Sequence, residues 1–125
     1  MAFSTGTVTN TRDFNTAASN IVLNVRNLDL TTPVSIIVSV FASVDSDTFY
    51  TAYMLSYDVP ANSYDVRTFF IGGNVAYEVQ IDMFSTSLPN TLTSVYGIDE
   101  FGNLVTDQRF APSELSFIPA LSPSM

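Results

Sequence analysis

The chain has 125 residues, the length of a single domain, and is short of charge, with 13% charged against 46% hydrophobic residues; an ordinary soluble domain carries roughly 25% charge. Twelve acidic residues face four basic ones, Arg12, Arg26, Arg67 and Arg109, and the net charge of −8 excludes a nucleic-acid backbone as partner and disfavours an anionic membrane surface. Cysteine, histidine, lysine and tryptophan are absent, which removes disulfides, thiolate metal sites, the commonest general base, Schiff-base amines and lysine cross-links.

Residues 1–19 are rich in Thr, Ser and Asn, and Phe3, Val8 and Phe14 are their sizeable apolar side chains. Thr5, Thr7, Thr9 and Thr11 place β-branched residues at alternate positions. The segment therefore reads as an extended N-terminal arm that becomes a strand when given an edge to pair with. It has neither the basic n-region nor the apolar h-region of a Sec-type signal peptide.

From Asn20 the pattern changes. Ile21, Leu23 and Val25 share one face while Asn24 and Arg26 share the other, which predicts a half-buried strand. After Pro33 comes a stronger one, with Val34, Ile36, Val38, Val40, Ala42 and Val44 on one face. Ile37 and Phe41 lie among serines on its opposite face. Apolar side chains there predict a strand covered on both sides or a subunit-contact face. This run, residues 36–44, is too short to cross a bilayer.

Asp45-Ser46-Asp47 reads as a turn, followed by a strand with Phe49, Tyr53, Leu55 and Tyr57 on one face. Tyr64, Val66, Thr68 and Phe70 start the next, and Gly72-Gly73-Asn74 supplies the residues a tight hairpin requires. Val75, Tyr77, Val79, Ile81 and Met83 then alternate with polar residues, inward against outward. Further strands are predicted over residues 92–99, 104–110 and 114–117, with an irregular tail over 119–125. About eight strands without helical periodicity predict an all-β fold, a single jelly roll or β-sandwich of antiparallel strands spanning residues 20–118.

No catalytic, cofactor-binding or metal-binding residues are expected, and the chain reads as a non-enzyme. Its serines lie outside any G-x-S-x-G elbow, and the close acidic pairs, Asp45 with Asp47 and Asp99 with Glu100, fall in turns where carboxylates bond their own backbone. Tyr50, Tyr57, Tyr64 and Tyr96 are candidate stacking residues for a sugar, so a carbohydrate-binding module is the alternative reading.

The stretches Asn20-Ile21-Val22-Leu23-Asn24-Val25-Arg26-Asn27, Thr32-Pro33-Val34-Ser35-Ile36, Val59-Pro60-Ala61-Asn62-Ser63 and Ala76-Tyr77-Glu78-Val79 carry a resemblance, as does Tyr96-Gly97-Ile98-Asp99-Glu100-Phe101-Gly102-Asn103. Over residues 20–110 the pattern of strands and turns resembles small jelly-roll proteins from the spores of Gram-positive spore formers, including endospore-appendage subunits. The resemblance implies a pilus-like fibre or spore-surface layer, outside the cell, whose subunits join head to tail as a homopolymer. A protein anchoring the fibre at its base or tip would be the other partner. In such an assembly the N-terminal segment, with Phe3, Thr5, Thr7, Val8, Thr9, Thr11 and Phe14, augments the sheet of the next copy. This chain departs from the cysteine-bearing members, so its cohesion would be non-covalent.

Overall fold

A computed structural model of the protein describes residues 1–10, 17–85 and 90–124. The described residues form an all-β sandwich of two antiparallel sheets. The strands are β1 (Ala2–Ser4), β2 (Val8–Thr9), β3 (Asn20–Asn27), β4 (Val34–Ser43), β5 (Tyr50–Val59), β6 (Ser63–Phe70), β7 (Ala76–Phe84), β8 (Thr91–Ile98), β9 (Leu104–Phe110) and β10 (Ser116–Ile118). One sheet runs β10-β1-β7-β4-β5, with β2 also on β7; the other runs β6-β3-β8-β9.

The alternating apolar residues form the core. Ile21, Leu23 and Val25 of β3 are fully buried between the sheets with Val34, Ile36, Val38, Val40 and Ala42 of β4 and Tyr77, Val79 and Ile81 of β7. Each large side chain buried in this way contributes roughly 1.5–3 kcal/mol. Side-chain carboxylates tie the turns: Asp29 accepts the Thr31 and Thr32 amides, Asp45 those of Asp47 and Thr48, and Asp99 those of Phe101 and Asn103. Gly73, at φ 88°, turns the chain between β6 and β7. Those strands lie in different sheets, so the Gly72-Gly73-Asn74 turn is a crossover and not the hairpin its sequence predicts.

The N-terminal segment differs from the expected arm. β1 lies between β7 and β10 of its own chain, with Phe3 opposite Ile81 on one side and Phe117 on the other. β2 continues along β7, Val8 opposite Tyr77. Farther on, Ser19 donates its amide to the Ile98 carbonyl and accepts that of Ile71. The described part of residues 1–19 thus belongs to the domain. The physical reason is the edge of β7, whose unpaired amides and carbonyls the segment satisfies within the chain.

One strand turns its bulkier set outward. On β6, Tyr64, Val66 and Phe70 are 77, 63 and 64% exposed. The other set faces the sandwich interior, where Phe69 is buried and packs against the Tyr53 ring at 5.1 Å. Arg67 pairs with Asp65 at 3.0 Å and caps the Tyr57 ring at 3.9 Å. A strand at the rim of a sandwich can turn a charged pair inward, because the rim is where those charges still meet water.

Candidate assembly surfaces

The molecule has two unlike flanks. On one, β5 and β6 are consecutive strands joined at Pro60–Asn62, and each is the edge of its sheet. They are ten and eight residues long and regular in their pairing with β3 and, beyond a single shift at Val40/Phe41, with β4. Neither contains proline, one device by which proteins keep an edge from pairing with another chain, and the inward Asp65–Arg67 pair of β6 is the other such device on this flank. On the other flank the edges are β10, three residues long, and β9, whose register shifts against β8 and whose Asp107 has φ 64°.

That second flank is locked by both ends of the described chain. Asn10 is buried and bonds in four directions: Nδ2 donates to the Ala18 and Asn74 carbonyls, both at 3.0 Å, and Oδ1 accepts the Ala18 amide at 2.7 Å and Gln108 Nε2 at 2.8 Å. Gln108 in turn accepts the Tyr77 hydroxyl at 2.7 Å. Burial pushes the Tyr77 phenol well above its ordinary pKa near 10. From β10 the tail crosses the outer face of the first sheet. The Ser122 amide donates to Gln80 Oε1 at 2.7 Å, Gln80 Nε2 returns a bond to Ser122 Oγ at 2.9 Å, and Ser124 Oγ lies 4.0 Å from Met54 Sδ on β5. Glu78 joins the two ends, accepting from Ser4 Oγ and from Gln80 Nε2.

The residues singled out from the sequence fall into these surroundings. Phe3 is half-buried and meets the Phe117 ring edge-on at 6.1 Å. Val8 is buried in the core. Thr5 bonds Val79 through both its amide and its hydroxyl. Thr7 and Thr9 are exposed, and Thr7 borders a small cavity with Phe41 and Glu78. Thr11 and Phe14 lie outside the described residues. Phe41 is 1% exposed and Ile37 half-buried. Phe41 is therefore covered within the chain, the first of the two readings its face allowed, and is not free to serve as a subunit contact.

The four tyrosines do not form one platform. Tyr50 donates to Asn74 Oδ1, and Tyr57 sits beneath Arg67, its phenol pushed up by burial and by the negative charge of Asp65. Tyr64 and Tyr96 do share the outer face of the second sheet. Asp45 has its carboxyl held below the ordinary range by the Thr48 and Asp47 amides, as a turn aspartate does. No group of three or more acidic side chains among the described residues is placed to hold a metal ion, and no described helix is long and apolar enough to cross a membrane.

A surface that sequence reasoning missed lies on the outer face of the β6-β3-β8-β9 sheet. Two adjoining hollows of about 360 and 280 Å³ share Asn24, Ser94 and Pro112. Together they make a groove with Asn24 and Ser94 as floor, Tyr64 and Val66 as one wall and the Pro112–Glu114 turn as the other. Arg26 stacks on Tyr64 at 4.4 Å and bonds Asn62 and the Asn27 carbonyl, so its charge is engaged. Arg109 borders the other end, opposite Tyr96, and its guanidinium has no hydrogen bond or ion pair among the described residues. The outward phase of β6 is the signal that would have found this groove: its bulky set is the one without Phe69 and Ile71, the two buried residues that anchor the strand end.

No protein-family model matches the chain, and no curated protein matches it in sequence.

Proposed function

We propose that the protein is a structural subunit, not an enzyme, that assembles non-covalently with copies of itself by continuing its sheets across the β5/β6 flank. The observation that carries this reading is the contrast between the flanks: two adjacent edges of regular pairing, ten and eight residues long, on one side, and a three-residue edge and an irregularly paired one on the other. An exposed edge offers a row of unpaired amides and carbonyls to any strand that fits, and a second copy supplies one at the same concentration. The low charge content of the sequence points the same way. Donation of the N-terminal strand enters the proposal as exchange, in which the slot between β7 and β10 takes β1 from a neighbour in place of its own. The resemblance of residues 20–110 to endospore-appendage subunits supports a fibre or spore-surface layer as the product.

Sedimentation velocity and negative-stain microscopy of the purified chain over a wide concentration range test this. The expected result is dimers or larger assemblies that dissociate on dilution. A monomer at every concentration, retained on a polysaccharide gel, would instead favour a carbohydrate-binding module.

A further inference from the structure

Edge pairing through one flank joins like to like and closes after two copies; a fibre requires a second contact between unlike surfaces. The outer-face groove and the β8–β9 turn supply such a pair. That turn projects Phe101, 78% exposed, next to Glu100, which has no hydrogen bond or ion pair among the described residues. Asp99 fixes the turn by accepting the Phe101 and Asn103 amides at 2.9 Å, with Gly102 at φ 84°. The result is a rigid knob with an aromatic ring and a free carboxylate. The groove has the complementary makeup: apolar walls from Tyr64, Val66 and Pro112, and the unpaired guanidinium of Arg109 at one end.

We propose that the groove of one copy receives the Glu100–Phe101 knob of another, Phe101 between the apolar walls and Glu100 on Arg109. Charge complementarity selects the occupant. Arg26 and Arg67 are engaged within the chain, which leaves Arg109 as the unpaired cation among the described residues of a molecule of net charge −8. The Arg–carboxylate geometry favours a paired contact there. A chain cannot fill its own groove: Ser94 on the floor and Asp99 at the turn are five strand residues apart, about 17 Å at ~3.4 Å per residue. The contact is therefore heterologous and repeats from copy to copy, the arrangement in which a protruding apolar side chain and a pocket elsewhere on the surface build filaments. This inference rests on the assembly reading above and names the contact that propagates it.

The test is a charge swap in the full chain, followed by sedimentation and microscopy. Phe101→Ala and Arg109→Glu, both at exposed positions, should fold as the parent does and raise the concentration needed for polymers at least about tenfold, the change expected of a central contact residue. Glu100→Arg should do the same, and the double variant Glu100→Arg with Arg109→Glu should recover polymers. Single variants that polymerise like the parent overturn this contact while leaving edge assembly standing. A double variant as impaired as either single one overturns the pairing of Glu100 with Arg109. A parent that never assembles overturns the assembly reading and this contact with it. A parent that binds a neutral polysaccharide and loses it on Arg109→Glu assigns the groove to a glycan instead.

Discussion

The two flanks of this sandwich are made from the same kind of strand and meet opposite fates. At the β10/β9 flank, the edge of β7 is covered by the N-terminal strand and β10, and a buried amide network and the crossing tail tie both ends of the described chain to the sandwich. At the β5/β6 flank, longer and more regular edges are left open. The difference teaches that the chain can satisfy an edge when it needs to, so the open flank marks where a partner is expected. Five perturbations sharpen that comparison, beginning with the most damaging.

Deleting residues 1–10 should do far more than remove a connector. It exposes the β7 edge, removes Val8 from the core and strips Ala18 and Gln108 of their Asn10 bonds. The loss should exceed ~5 kcal/mol, comparable with the entire stability of many domains, and circular dichroism should lose its cooperative melt. Asn10→Ala isolates one part of this. It orphans buried groups on three segments and should cost roughly 3 kcal/mol, read as a lowered denaturant midpoint with an unchanged slope. Gly97→Ala attacks the same network from β8, since an added methyl meets Gln108 and the Ala18 Cβ, the latter at 2.9 Å; about 1–3 kcal/mol of overpacking is expected.

The tyrosines give the network a signature in pH. In the folded chain Tyr77 keeps its proton above the pH at which the unfolded chain loses it, near 10. The unfolded state then binds fewer protons, so stability is intact below pH 10 and falls as pH rises beyond it. The slope from Tyr77 approaches ~1.4 kcal/mol per pH unit, and Tyr57, nearer the rim, adds to it in the same direction. Chemical denaturation at pH 9, 10 and 11 reads this out. At the open flank, by contrast, Ser56→Lys with Thr68→Lys should change stability by less than about 0.5 kcal/mol, because both side chains are exposed. The same pair of lysines should prevent assembly.

Much of the fold was legible in the sequence. The alternation in β7 and β4 dictates which side chains are buried, because a half-buried strand leaves its period in the residues. β6 stays ambiguous for a physical reason: periodicity reveals the phase of a strand but not which phase faces inward, and at the rim two buried anchors, Phe69 and Ile71, outweigh three exposed bulky residues. The N-terminal segment was readable as a strand in search of an edge. Which edge it takes depends on β7 and β10, more than seventy residues away, and local pattern carries no such information. The groove was hidden for the same reason, since Tyr64, Asn24, Ser94 and Arg109 meet only through sheet register.

Hydrogen–deuterium exchange tests the flank contrast most directly, comparing assembled protein with the Ser56→Lys, Thr68→Lys variant as the monomer reference. Backbone amides of β5 and β6 should exchange more slowly in the assembly, while those of β10 keep the rates of the monomer. Slowing at β10 with none at β5 and β6 would contradict the account.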